Sequence, residues 1–134
     1  ENKLITRPFQ EYDLEILKKV NYIANSASAY KKNAYFEIGG YDQNLKMCED
    51  YDLWLRFALH GYKFIYSSKS LVTLSRYAGS TTGTKKETLR SYIHKVKEKN
   101  RLPIIADKEQ LKKNVSPEVF QYFTTPGGIN LWFS

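Results

Sequence analysis

Four carboxylates fall within eleven residues of this 134-residue chain: Asp42, Glu49, Asp50 and Asp52. Three of them open a segment in which Leu53, Trp54, Phe57 and Ala58 recur at i, i+1, i+4 and i+5, the stripe of an amphipathic helix. Gly61 supplies the expected stop. An acid in a first turn faces the positive end of the helix dipole, which favours its ionised form by roughly 0.3–1 kcal/mol. Such a group can serve as a base, taking the proton of a hydroxyl as that hydroxyl attacks an electrophile. Acids at the same place also act simply as caps and dipole partners. The local spelling alone leaves both roles open.

The elements that must hold these acids can be read on either side. Residues 1–10 read as a loop punctuated by Pro8, and residues 11–20 as a short helix carrying Leu14, Ile16, Leu17 and Val20. Residues 25–31 alternate as a strand does, and Asn33 is placed to cap a helix that Gly39-Gly40 ends. Tyr62 to Tyr66 and Leu71 to Tyr77 read as two further strands joined by the turn 67–70. From Thr84 the character changes. Thr84 and Glu87 have capping-box spacing, and Leu89, Tyr92, Ile93 and Val96 follow as one apolar stripe on a strongly basic helix. Asp107 and Gln110 frame a second helix to Asn114, and Ser116-Pro117 opens a third. Pro126-Gly127-Gly128 is expected to end the regular pattern, with the apolar residues 129–133 docking on the core.

In this order the segments resemble the family-2 glycosyltransferases, inverting enzymes of the glycosyltransferase-A fold. The resemblance runs from about residue 8 to 83 and lies in the series: Asn25 to Tyr30, Lys31-Lys32, Ala34 to Ile38, Gly39-Gly40-Tyr41-Asp42, Glu49 to Arg56, and Arg76-Tyr77 with Gly79-Ser80-Thr81. It implies an α+β fold, the acceptor-side C-terminal half of the glycosyltransferase domain over residues 1–83. A basic helical extension follows over 84–134, and the Rossmann-like donor half is absent. By position Asp50 is the catalytic base. Glu49, Asp52, Trp54, Tyr41, Asp42 and Arg76 are the residues expected to bind substrate. The donor is a nucleotide-sugar, and the acceptor a glycan, a protein or a lipid-linked saccharide. A divalent Mg or Mn ion is expected in the full-length enzyme through the missing half, with none held by this part, so the 134 residues alone are expected to be inactive. Asp50-Tyr51-Asp52 spells Asp-x-Asp, yet residues i and i+2 of a helix point to different sides and converge poorly on one ion. The His that many relatives carry shortly after the Arg is missing, since Tyr77 and Ala78 follow Arg76.

Composition sets the remaining bounds. Hydrophobic residues at 42% and charged residues at 26% suit a globular domain. The single Cys48 cannot form an internal disulfide, and beside two acids its thiolate is disfavoured. No apolar run approaches the ~18 residues of a membrane span, so the expected location is cytoplasmic, at the inner face of the membrane. The net charge of +7 is concentrated late, through Lys85, Lys86, Arg90, Lys95, Lys97, Lys99 and Arg101. A basic tail of this kind is drawn to anionic lipids, where lipid-linked acceptors sit. The competing reading is a non-catalytic basic module that binds an acidic partner or nucleic acid. Against nucleic acid, the aromatic residues do not interleave with the basic ones as a stacking platform requires.

Overall fold

Asp13 sets the start of the first helix. Its backbone is extended (φ −148°) and its Oδ1 accepts the Ile16 amide at 3.1 Å, capping α1 (Leu14–Leu17). The helix expected over residues 11–20 is therefore a single turn, with Ile16 and Leu17 buried. The computed structural model describes residues 6–73 and 85–133. After α1 come α2 (Lys32–Glu37), α3 (Glu49–Leu59), α4 (Lys86–Lys99), α5 (Lys108–Asn114), α6 (Pro117–Thr124) and α7 (Pro126–Trp132). Among the described residues no helix is long and apolar enough to cross a membrane.

The fold is helical where strands were expected. Among the described residues there is no strand and no sheet, which overturns the α+β, glycosyltransferase-A-type architecture. Each missing strand has a physical reason. Over 25–31, Ser28 and Asn25 satisfy the backbone locally: Asn25–Ala27 forms a 3₁₀ turn, and the Ser28 hydroxyl donates to the Ala24 carbonyl. Side chains of this kind offer the backbone an alternative to a ladder. Residues 62–66 and 71–73 keep the alternation but pair with no neighbouring strand. Ile65 is 96% exposed and Leu71 71% exposed, so neither has a core to face. Period-two patterning requires a partner backbone before it becomes a sheet. The rest of the expected second strand, 74–77, lies outside the described residues, as does Thr84 of the expected capping box.

Asn33 does not cap α2. The helix begins one residue earlier, at Lys32, with Lys31 as its N-cap and no side-chain bond there. Nor is α4 capped by the expected Thr84–Glu87 box, since it starts from Lys85 as N-cap without a side-chain bond, whereas two later caps follow the sequence. Asp107 accepts the Gln110 amide at 2.9 Å, and Ser116 accepts that of Val119 at 3.3 Å with Pro117 behind it.

α3 is the centre of the core. Tyr51, Leu53, Trp54, Leu55, Phe57 and Ala58 are all buried, and the Tyr51 hydroxyl donates to the Leu17 carbonyl at 2.6 Å. α4 lays Ile93 and Val96 against this layer. Pro126-Gly127-Gly128 opens α7 instead of ending the pattern, consistent with proline's fit to a first helical turn. That helix returns the chain end to the core. Trp132 meets the Tyr51 ring edge-on at 5.7 Å, and its carbonyl accepts the Ala106 amide at 2.8 Å.

Candidate functional site

Cys48 turns the chain into α3. It holds a left-handed conformation (φ 62°), uncommon for a residue with a side chain, and its side chain makes no capping bond. First-turn amides that have no partner within the helix are left for the acids themselves. Asp50 Oδ1 accepts the Tyr51 amide at 2.8 Å, and the Asn21 side chain and the residue's own amide also favour its charged form.

Two opposing effects act on Asp50. Burial disfavours its charge, and these three interactions favour it. Burial is the larger effect, and with Glu49 adding like-charge repulsion the Asp50 carboxyl is held above the ordinary carboxylate range. A carboxylate so raised is a better proton acceptor at neutral pH than a solvated one. Burial also pushes the Cys48 thiol up to about 12, with Asp50 and Glu49 contributing, so it is no nucleophile.

Beside this turn lies an open groove of about 460 Å³, lined by Tyr41, Asp42 and Glu49 together with Asn25, Gln43 and Lys46. Six of its seven lining residues carry polar groups, with Leu45 the apolar exception, and such a lining suits a polyhydroxylated ligand. Asp50 sits one residue behind Glu49, and its charge helps raise the Tyr41 hydroxyl, whose largest perturbation is the hydrogen bond with Tyr30. Tyr30, 41% exposed, stacks on Tyr35 at 5.6 Å and meets Trp54 at 5.9 Å. The Tyr30 and Tyr41 hydroxyls share a hydrogen bond at 3.3 Å.

The Gly39-Gly40 turn fixes this wall. Gly40 has φ 67°, and a Cβ there would lie 2.8 Å from the Tyr35 ring. The same Tyr35 hydroxyl accepts the Tyr41 amide at 3.1 Å. From the other side Arg56 donates to the carbonyls of Ile38 at 2.9 Å and Gly40 at 2.6 Å. Arg56 also donates to Asp52 at 2.9 Å, so α3 clamps the turn that carries Tyr41 and Asp42.

The structure thus brings Glu49, Tyr41 and Asp42 to one groove, leaves Asp50 beside Glu49 but outside the groove lining, and withdraws two other expected binding residues from it. Asp52 is fully buried and satisfied by Arg56, Lys99 and Asn100. Trp54 is 3% exposed, packed under Tyr30 and against Phe57. Neither offers a free face to a ligand; both serve the fold. Arg76 lies outside the described residues. Asn21 and Lys46 are not singled out by the sequence, since nothing in their local spacing ties them to α3, and Tyr30 enters it only as the end of the Asn25 to Tyr30 segment. A metal does not fit the Asp50–Asp52 pair, because Asp52 faces two cations inside the protein. Among the described residues no group of three or more His, Cys, Asp or Glu side chains is placed to hold an ion. Comparison with protein-family models, with curated proteins and with solved structures finds no match to this chain.

Proposed function

We propose that this chain is the acceptor-side part of an inverting glycosyltransferase, working within a longer enzyme, with Asp50 as the general base. One observation carries the reading: a carboxylate bonded to the Tyr51 amide stands at a helix start, next in the chain to Glu49, which lines a polar groove that Asp50 itself does not line. The ordered series of motifs from Asn25 to Arg56 supports it. The helical architecture gives it no support, so the proposal rests on the site.

In this mechanism an acceptor hydroxyl enters along the groove, where Glu49, Asp42 and Tyr41 hold its neighbouring hydroxyls. Asp50 takes the proton as the oxygen attacks the anomeric carbon of a nucleotide-sugar. The bond to the diphosphate breaks on the opposite face, so the anomeric centre inverts and no sugar-enzyme bond forms. Asn21 holds the carboxylate in place, and the clamp of Arg56 on the Gly39-Gly40 turn keeps the groove wall in register.

The test is turnover in a longer enzyme carrying the donor site. Asp50→Asn is expected to lower kcat by about 10²–10⁴-fold, the usual contribution of a positioned base. The KM for the nucleotide-sugar should hardly change. Turnover near the wild-type rate in that variant would remove Asp50 from the mechanism.

A further inference from the structure

α4 ends in an unusual way. Arg101 takes a left-handed conformation (φ 58°) that glycine normally supplies, and the turn is closed by Leu102 donating to the Lys97 carbonyl at 2.8 Å. Leu102 packs against the core on one side. On the other, Ala106 is buried and its amide donates to the Trp132 carbonyl at 2.8 Å. Between these two anchors Pro103, Ile104 and Ile105 are held outward. Ile104 is 38% and Ile105 44% exposed. The chain is pinned at both ends of this tip, so the aliphatic side chains are presented and not merely left over.

The tip has a basic frame. Arg101 precedes it, Lys108 opens α5 three residues after it, and Lys112 and Lys113 follow within the next turn. At a rise of about 1.5 Å per residue, Lys112 and Lys113 stand about 6–8 Å along the helix from Lys108, the Lys112 ammonium lying 5.9 Å from the Phe120 ring. The acids nearby are Glu98, Asp107 and Glu109, and Asp107 is engaged as the cap of α5.

We propose that the α4–α5 connection is a membrane-docking tip: Ile104 and Ile105 enter the headgroup boundary of an anionic bilayer while Arg101, Lys108, Lys112 and Lys113 bind its phosphates. Cations alone attract any polyanion, and exposed aliphatics alone mark any apolar contact. The two side by side match a surface that is anionic outside and apolar beneath. Nucleic acid offers the charge without an apolar layer for the isoleucines. The inference is independent of the role of Asp50.

The 134-residue chain is floated with vesicles of phosphatidylglycerol mixed with phosphatidylcholine, and with vesicles of phosphatidylcholine alone. Binding is expected only to the anionic vesicles, weakening as salt rises. The double variant Ile104→Glu/Ile105→Glu is expected to lose about tenfold or more in affinity, from lost apolar transfer. Lys108→Glu/Lys112→Glu should lose about fivefold or more per site, and with it most of the salt dependence. In a separate variant, Ile104→Trp, emission should shift to shorter wavelength on adding anionic vesicles, read against the wild-type background from the buried Trp54 and Trp132. Wild-type vesicle affinity in the double isoleucine variant overturns the proposal. So does equal binding to both vesicle types, an unshifted reporter, or retention on nucleic acid without vesicle binding.

Discussion

Lys99 donates to Asp52 at 2.9 Å across 47 positions of sequence, and the same ammonium reaches Asp42 at 2.8 Å. A lysine of the basic tail therefore closes the acidic segment, and Asn100 beside it donates to the other Asp52 oxygen at 2.9 Å. Asp52 ties together α3, α4 and, through Arg56, the Gly39-Gly40 turn.

Removing the two partners should have unequal effects. Asp52→Ala leaves Arg56 and Lys99 facing a buried void and is expected to cost about 3–5 kcal/mol. Lys99→Ala removes a side chain that is 38% exposed, where solvent screens the pair, and Arg56 remains, so about 1 kcal/mol is expected. Urea unfolding of the two variants measures both. Equal losses would mean that Asp52 is not the node.

Lys97 is a buried cation. It is fully buried in the structure, donates to the Lys19 carbonyl at 2.8 Å and lies 5.5 Å from the Trp132 ring. Burial lowers its pKa to about 8, with the nearby Lys19 adding to the shift. The folded state thus releases this proton before the unfolded chain does. Below pH 8 both states hold it and the buried charge costs the fold its full amount. Stability contributed by this group rises as pH climbs from 8 toward the ordinary lysine value, by at most about 3 kcal/mol. Tyrosine and cysteine groups with raised pKa values work the other way above pH 9, so the difference from Lys97→Met is the useful quantity. The stability advantage of Lys97→Met should be largest at pH 7 and shrink between pH 8 and 10. A constant difference across that range would contradict the buried charge.

Gly128 is required by contact. A Cβ there would sit 2.3 Å from the Phe123 carbonyl oxygen, where α6 hands over to α7. Gly128→Ala should destabilise by about 1–3 kcal/mol, as overpacking does. It should also loosen Trp132 from Tyr51, which appears as a red shift in tryptophan emission. A variant as stable as wild type would show that α7 docks differently.

The helices were legible wherever a local signal was sufficient. Asp107 and Ser116 each bond the amide three residues on, and Leu89, Ile93 and Val96 of the α4 stripe pack on the core, while Tyr92 pairs with Lys95 instead. Lys97 stands at i+4 from Ile93, on that very stripe, yet its charge places it by habit on the basic face; position overrode residue type. The strands were not legible. Alternation over 62–66 states only that a strand is permitted, and pairing depends on residues far away in sequence. The site divides along the same line. Asp50 and Glu49 were evident from their place at a helix start, whereas the burial of Asp52 depends on Lys99 and Asn100. No local pattern encodes that meeting.

Asp50 should behave as a desolvated base in stability as well as in chemistry. Its pKa is raised in the fold, so the folded state loses stability as pH climbs from the unfolded carboxylate value through the folded one. Asp50→Asn is therefore expected to raise the melting temperature at pH 7, with the gain vanishing in acid where both states are protonated. A cap or dipole partner would show the opposite sign, a loss at neutral pH.

The most direct measurement is the titration of the Asp50 side-chain carboxyl in this chain, followed by its carbon-13 resonance and assigned by comparison with Asp50→Asn. A midpoint clearly above the ordinary carboxylate value of about 3.9 is expected. In Glu49→Gln it should move down and remain above that value, because burial is the larger cause. A midpoint at or below the ordinary value would mark Asp50 as a helix-start cap and contradict its assignment as the base.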